Sequence, residues 1–119
     1  MARTYEHLDI WKESIQVAEL IYTITRRLPK DEMYGIVSQM RRAAISISSN
    51  IAEGSGRSSK KDFAHFITIA IGSLNELESL AEVSYRLKFI EGDEYGKLKL
   101  KIEYAGKLLG GFKKYLARA

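Results

Sequence analysis

Apolar side chains recur every three or four positions through four long segments of the chain, which is the spacing of amphipathic helices. The second segment is the most regular, and its predicted core-facing row consists of Val37, Met40, Ala44, Ile47 and Ile51. No alternation with the period of a β-strand competes with this pattern. The spacing predicts helices at about residues 8–28, 32–55, 59–89 and 93–117.

Single residues between these segments predict where the helices end and begin. Pro29, the only proline, ends the first helix because the residue before a proline disfavours helical geometry. Asp31 is a candidate N-cap for the second helix. Short connections between long amphipathic helices favour an antiparallel up-down-up-down four-helix bundle. We therefore expect an all-α protein in which residues 1–119 form a single domain.

The stretch NIAEGSGRSSKKD, residues 50–62, combines the glycine, hydroxyl and basic side chains of a phosphate-binding loop. We interpret it instead as the turn between helices 2 and 3. Gly54 and Gly56 supply the C-terminal stop of helix 2, and Ser59 followed by Asp62 resembles a capping box. A Walker-type nucleotide loop needs Gly-Lys-Ser/Thr after a strand, whereas here the lysines follow serines and a helix precedes them.

The side-chain chemistry gives no indication of an enzyme, a cofactor or a metal site. The 119 residues contain no cysteine, which excludes disulfides, thiolate catalysis and cysteine-ligated metals. The only pair comparable to a di-iron ligand motif is Asp62 with His65, and Asp62 is better explained as a capping residue. No histidine base accompanies the serines. We expect a non-enzymatic protein and, because no signal peptide or long apolar run is evident, a cytoplasmic one.

Helix 2 has less charged surface than a solvent-facing helix of its length normally carries. The stripe opposite its core row, with one flanking asparagine, consists of Gln39, Arg42, Ser46, Ser49, Asn50 and Glu53. Either the protein is a monomer with a weakly polar surface, or subunits associate through this helix. We favour association, since Gly72 within helix 3 would cost stability unless something packs against it. These seven residues are candidates for an oligomer interface.

The net charge of +4 is unevenly distributed. Residues 62–91 carry two basic and five acidic groups, whereas residues 92–119 carry seven and three. An up-down-up-down bundle would gather at one end the cations Arg3, Arg57, Lys60, Lys61, Lys113, Lys114 and Arg118. This end suits a polyanion whose binding depends on phosphate neutralisation. The alternative is that these are ordinary solvated termini, with lysines countering the negative end of helix 4.

Two stretches, QMRRAAISISSNIAEGSGR (39–57) and DFAHFITIAIGSLNEL (62–77), resemble the 23S rRNA intervening-sequence protein family, also described as bacterial four helix bundle proteins. The positions that match the family pattern are Gln39, Arg41, Arg42, Ala43, Ser46, Asn50, Ile51, Ala52, Glu53, Gly54, Phe63, Phe66, Gly72, Ser73 and Glu76. The likeness extends from about Tyr5 through Leu87. Ser48 stands where many relatives have proline, and helix 4 carries no matching motif.

The resemblance implies a four-helix bundle that assembles as a ring-like homopentamer and has no established activity. A related branch, the accessory proteins of diversity-generating retroelements, works with a reverse transcriptase and its RNA. Our leading hypothesis is a non-enzymatic homo-oligomer that binds RNA or DNA through its basic end without reading sequence. The alternative is a protein–protein adaptor, whose partner would be a nucleic-acid enzyme.

Overall fold

The computed structural model describes residues 4–118, so the predicted cation Arg3 lies outside the described part of the chain. The α-helices are α1 (Asp9–Thr25), α2 (Ser38–Ser55), α3 (Lys60–Arg86) and α4 (Gly92–Arg118). The shorter elements are a 3-10 turn (Thr4–His7), a second 3-10 turn (Lys30–Glu32) and a wide π-helical turn (Met33–Val37). No strand occurs within residues 4–118, and the all-α prediction is confirmed.

The helices pack in the cyclic order of the chain. α1 packs against α2 and α4, and α3 packs against the same two helices. The long dimension of the molecule, 45 Å, is close to the length of a 27-residue helix, about 40 Å. This arrangement is the antiparallel four-helix bundle that the pattern predicts. Helix α2 runs without a break through Ser48.

The row predicted for helix 2 lies at the centre of the core. Its five members, Val37, Met40, Ala44, Ile47 and Ile51, are at most 1% exposed. They belong to one cluster with side chains from the other three helices, including Ile21, Leu77 and Leu109. Burial of a large aliphatic side chain contributes roughly 1.5–3 kcal/mol, so this row fixes the rotation of α2 within the bundle. Every buried polar side-chain atom within residues 4–118 has a hydrogen-bond partner.

The connection between α1 and α2 differs from the prediction. α1 ends at Thr25 rather than at Leu28, and α2 begins at Ser38 rather than at residue 32. Asp31 is therefore not the N-cap of α2, since it lies in the second 3-10 turn. Gly35 adopts φ −113° and ψ −112°, outside helical geometry. This residue lies within the π-helical turn that precedes α2.

Gly54 was predicted to stop helix 2, but its role is different. It is buried within α2, which continues to Ser55. A Cβ atom at residue 54 would lie 2.7 Å from Cβ of Phe66 and 2.8 Å from Cδ1 of Phe63. Glycine therefore permits close contact between α2 and α3. Gly56 follows the end of α2 with φ −88°, so the helix stops without a left-handed residue.

Helix α3 begins as predicted and ends earlier than predicted. The Oγ of Ser59 accepts a hydrogen bond from the N–H of Asp62 at 3.1 Å, which confirms the N-cap. Beyond the end of the helix, Lys88 adopts φ 65°, and the N–H of Phe89 donates to the carbonyl of Ser84 at 2.9 Å. This left-handed residue and long-range backbone bond form a Schellman-type end before residue 89.

Candidate nucleic-acid interface

Three parts of the chain meet at one end of the bundle: the turn between α2 and α3, the start of α1 and the end of α4. The rings of Phe63 and Phe112 lie edge to face, with centroids 5.2 Å apart. The Nζ of Lys60 lies 5.7 Å from the ring centroid of Tyr115, and Leu8 lines the same groove as Tyr115. We use the name basic pole for the predicted cations of this end, namely Arg57, Lys60, Lys61, Lys113, Lys114 and Arg118.

All six side chains of the basic pole are exposed. Arg57 is partly neutralised, because its Nη2 lies 2.8 Å from Oε2 of Glu53 and its guanidinium lies 4.7 Å from the ring centroid of Phe66. None of the other five forms an ion pair with a carboxylate of residues 4–118. Asp62 is an acidic group in the same turn region, at the start of α3. The pole therefore presents more positive than negative charge to solvent.

The opposite end of the bundle also carries cations, and carboxylates pair with two of them. Arg27 forms an ion pair with Glu94 in the first turn of α4. The Nε of Arg86 lies 2.8 Å from Oε2 of Glu82, whose Oε1 accepts a hydrogen bond from the hydroxyl of Tyr95 at 2.5 Å. This hydrogen bond raises the pKa of Tyr95 to about 12, and it also lowers the pKa of Glu82.

A groove that the sequence reasoning did not predict lies beside the basic pole, between the start of α1 and the end of α4. Its volume is about 480 Å³, and Leu8 and Phe112 contribute apolar lining. Lys107, Gly111 and Tyr115 also line it, at four-residue steps along α4. That spacing is visible in the sequence, and it places the three residues on one face of α4. The facing wall comes from residues 7–10, so only the fold reveals the groove.

The candidate oligomer interface lies on the outer surface of α2 and α3. Its exposed members are Gln39, Arg42, Ser49, Glu53 and Gly72. Ser46 and Asn50 are half-buried and have partners within the chain. The two hydroxyl oxygens of Ser46 and Ser73 lie 2.8 Å apart, and Nδ2 of Asn50 donates to the carbonyl of Ser46 at 2.8 Å. The contact between Ser46 and Ser73 joins α2 to α3, whereas Asn50 donates within α2, so Ser46 belongs to the seam between the helices.

Gly72 lies on the outer surface of α3, where no side chain of the described residues covers it. A Cβ atom at residue 72 would meet nothing within 4 Å. Within a single chain, no close contact accounts for this glycine, in contrast to Gly54. The assignment of Gly72 to a subunit interface stays a prediction.

Apolar groups near the start of α2 were also missed by the sequence reasoning. Tyr34 is 98% exposed and Ile45 is 44% exposed, and both line a groove of about 570 Å³. The guanidinium of Arg41, which lines the same groove, lies 4.6 Å from the ring centroid of Tyr22. Tyr34 lies outside the regular three–four rows, and the turn at Gly35 brings it to the surface. Periodicity alone does not indicate such a position.

No group of three or more histidine, aspartate or glutamate side chains within residues 4–118 is placed to hold a metal ion. In the same part of the chain, no helix has the length and apolar character needed to cross a bilayer.

One solved structure provides a close comparison of fold. It is a protein with unknown function from the S23 ribosomal protein family of Bacteroides thetaiotaomicron, with a TM-score of 0.82 and 25% sequence identity. The match covers 88% of this chain and 98% of that chain, so the similarity extends over the whole bundle. Among curated proteins, no match to the chain is found.

A family model gives the more direct assignment. The model described as 23S rRNA-intervening sequence protein matches residues 6–111. This span begins near the start of the predicted likeness and continues into α4, beyond Leu87, where that likeness ends. The match thus confirms the resemblance and extends it, and since it covers most of the 119 residues, this chain belongs to the 23S rRNA-intervening sequence protein family.

Proposed function

We propose that this protein is a non-enzymatic homo-oligomer that binds the phosphate backbone of RNA or DNA through its basic pole, without reading base sequence. The main supporting observation is the unequal balance of charge at the two ends. Five of the six exposed cations of the pole have no carboxylate partner within residues 4–118. The opposite end also has exposed cations, but it carries more carboxylates, namely Asp31, Glu32, Glu91, Asp93 and Glu94.

Unpaired surface cations suit a polyanion for a simple physical reason. A ligand phosphate that approaches a solvated lysine does not first have to displace a carboxylate, and it releases the counterions condensed on the nucleic acid. The lack of sequence reading follows from the same geometry. The pole consists of helix ends and a turn, so its cations are placed to contact phosphates, which carry no sequence information.

Oligomerisation would strengthen this binding by repetition. The family resemblance implies five copies in a ring, and each copy would bring its own basic pole. Several weak phosphate sites on one particle act together when a single nucleic-acid chain can reach them. The exposed polar face of α2 and the open surface at Gly72 are the candidate contacts between copies.

Charge reversal tests the proposal directly. Binding of fluorescently labelled RNA and DNA oligonucleotides is measured by anisotropy at low salt for the wild type and for the variant Arg57→Glu, Lys60→Glu, Lys61→Glu. We expect at least about a tenfold loss of affinity, because each lost cation removes a favourable phosphate contact and each new carboxylate repels the backbone.

A matched control changes the same amount of charge at the opposite end. It carries Arg26→Glu, Lys30→Glu and Lys97→Glu, all at exposed positions. We expect this control to keep its affinity within about twofold. An equal loss in both triple variants would mean that net charge alone matters. Absence of binding to RNA and DNA at low salt would reject the proposal altogether.

The second candidate function is that of a protein–protein adaptor. It is favoured by the exposed apolar groups near the start of α2, where Tyr34 is 98% exposed beside a groove of about 570 Å³. Sedimentation velocity tests the oligomeric part of both proposals. A stable monomer at micromolar concentration would contradict the assignment of α2 to a subunit interface, whatever the protein binds.

A further inference from the structure

The groove between α1 and α4 combines an apolar interior with a cationic edge. Leu8, Leu108 and Phe112 line it, and Tyr115, at 53% exposure, lies against it with much of its ring accessible. The ring centroids of Phe112 and Tyr115 are 5.7 Å apart, and Nζ of Lys60 lies 5.7 Å from the Tyr115 centroid. An accessible aromatic ring beside a cation is the combination that proteins use to stack bases of single-stranded nucleic acid.

The cationic edge follows one face of α4. Lys107, Gly111, Lys114 and Arg118 succeed one another at helical steps of four, three and four residues, and all four are exposed. The rise of an α-helix places Lys114 about 10 Å beyond Lys107, and Arg118 about 6 Å further along. A nucleic-acid backbone that follows this face would therefore meet a series of positive charges while its bases turn toward the groove.

Gly111 keeps this face open. A Cβ atom at residue 111 would meet nothing within 4 Å, so no packing within the chain requires glycine there. An exposed glycine in the interior of a helix is less stable than alanine. Because Gly111 also lines the groove, the absence of a side chain there leaves room for a ligand beside the helix backbone.

We propose that this groove binds an unpaired base of single-stranded RNA or DNA, with the base stacked on Tyr115 and adjacent phosphates held by Lys60, Lys107 and Lys114. The inference rests on the proposed function and adds a preference for single strands. The volume of about 480 Å³ falls within the usual range of small-ligand sites, about 300–1,000 Å³. A duplex has its bases paired and stacked internally, so it would contact only the cations.

The groove is not uniformly positive. His7 and Asp9 line the wall contributed by the start of α1, opposite the lysines of α4. The carboxylate of Asp9 disfavours a phosphate on that side and can accept a hydrogen bond from the amino group of a base. This asymmetry orients the ligand, with its backbone on the α4 side and its base edge toward α1.

The test compares one labelled RNA sequence as a single strand and as a hairpin duplex, at the same salt concentration, by anisotropy. We expect the single strand to bind at least about fivefold more tightly, which corresponds to one stacked base. Tyr115→Ala should weaken single-strand binding by about 5- to 100-fold and change duplex binding by less than about twofold. Tyr115→Phe should keep the preference, because the aromatic ring is retained.

A second variant distinguishes blockage of the groove from destabilisation of α4. Gly111→Leu fills the groove while improving helix propensity, so a loss of single-strand binding would arise from blockage and not from a weaker α4. The matched control is Gly96→Leu, at an exposed glycine of the same helix whose Cβ would also meet nothing within 4 Å. We expect this control to bind like the wild type.

The outcomes separate the inference from the proposed function. Equal binding of single strand and duplex, with both weakened by the reversals at Arg57, Lys60 and Lys61, would overturn the base-binding inference and leave the proposed function standing. A single-strand preference that survives both Tyr115→Ala and Gly111→Leu would also overturn it. Absence of binding to either form at low salt would reject the proposed function, and the inference with it.

Discussion

The two ends of the bundle carry cations of the same kinds, and they differ in what surrounds those cations. At the end formed by the first turns of α4 and the connection after α1, Glu94 meets Arg27 and Glu82 meets Arg86. At the basic pole, the only such pair is Arg57 with Glu53 within residues 4–118. Arg26, Lys30, Lys88 and Lys97 at the first end also form no ion pair within residues 4–118, so the two ends differ mainly in how many carboxylates accompany the cations. The comparison teaches that the fold, by deciding which charges share an end, matters more for binding than the net charge of the chain.

The largest expected effect concerns salt. If six cations of the pole each neutralise a phosphate, raising the salt concentration from about 50 to about 200 mM should weaken binding by about 10³-fold. Lys113→Gln with Lys114→Gln should reduce the slope of log affinity against log salt by about 1.4–1.8, since two contacts are lost. Titrations at four salt concentrations give the slope.

The matched pair for this measurement is Arg26→Gln with Lys97→Gln, both exposed and at the opposite end. Its slope should equal that of the wild type. A similar reduction in both double variants would mean that the two ends are electrostatically equivalent, contrary to the structure.

The second prediction tests how the basic pole is held in place. Gly54→Ala should lower the free energy of unfolding by about 1–3 kcal/mol, because the new methyl group overlaps Phe63 and Phe66. Gly96→Ala is the matched control and should raise it by up to about 1 kcal/mol, since the added methyl meets nothing within 4 Å and alanine favours the helix. Urea denaturation measures both. Equal effects of the two substitutions would contradict the close α2–α3 contact at Gly54.

A smaller effect is expected from releasing cations at the opposite end. Glu94→Gln removes the carboxylate that pairs with Arg27, and Glu91→Gln removes a second negative charge close by in the sequence. The double variant should bind nucleic acid within about twofold of the wild type, because the released cation lies far from the basic pole. Anisotropy at low salt is the measurement, and a gain in affinity of more than about threefold would show that this end also reaches the ligand.

The smallest effect concerns pH at the same end. The hydrogen bond to Glu82 raises the pKa of Tyr95 to about 12, above its unfolded value of about 10. Its stabilising contribution is therefore fully present below about pH 10 and is lost as the pH rises toward 12. Tyr95→Phe should lower Tm by about 1–3 °C at pH 8, and the difference from wild type should vanish near pH 12. A difference that persists unchanged at pH 12 would contradict this bond.

The pKa of Glu82 is lowered, so the same hydrogen bond also makes stability depend on pH in the acidic range. The hydrogen bond from Tyr95 and the nearby Arg86 lower this pKa, so its contribution is present above the unfolded value of about 4.3. That contribution is lost as the pH falls through the lower value of the folded state. The variant Glu82→Gln should therefore be less stable than the wild type at neutral pH. The difference in Tm between the two proteins should become smaller below about pH 4.

Much of the fold could be predicted from the sequence, because the apolar side chains that recur every three or four residues are the ones buried in the core. What could not be predicted depends on contacts between segments that are distant in the chain. A glycine near a helix end is typical of a C-cap, and nothing local reveals that Gly54 touches two phenylalanines of α3. Asp31 is equally typical of an N-cap, yet it lies in a 3-10 turn, and α2 begins only at Ser38.

The candidate site divides in the same way. The cations of the basic pole could be predicted because topology alone brings the α2–α3 turn to the end of α4. The groove at Tyr115 could not, because its walls come from residues 7–10 and from α4. At the other end, topology alone also brings acidic residues beside the cations, and only the specific ion pair between Arg27 and Glu94 required the structure.

The close contact at Gly54 has a consequence for how this surface can change over time. Backbone and aromatic packing, and not the lysines, set the distance between the α2–α3 turn and α4. Exposed cations such as Lys61 and Lys113 can therefore be gained or lost one at a time with effects on stability of usually less than about 0.5 kcal/mol. Selection on what the pole binds can thus act without opposition from selection on folding.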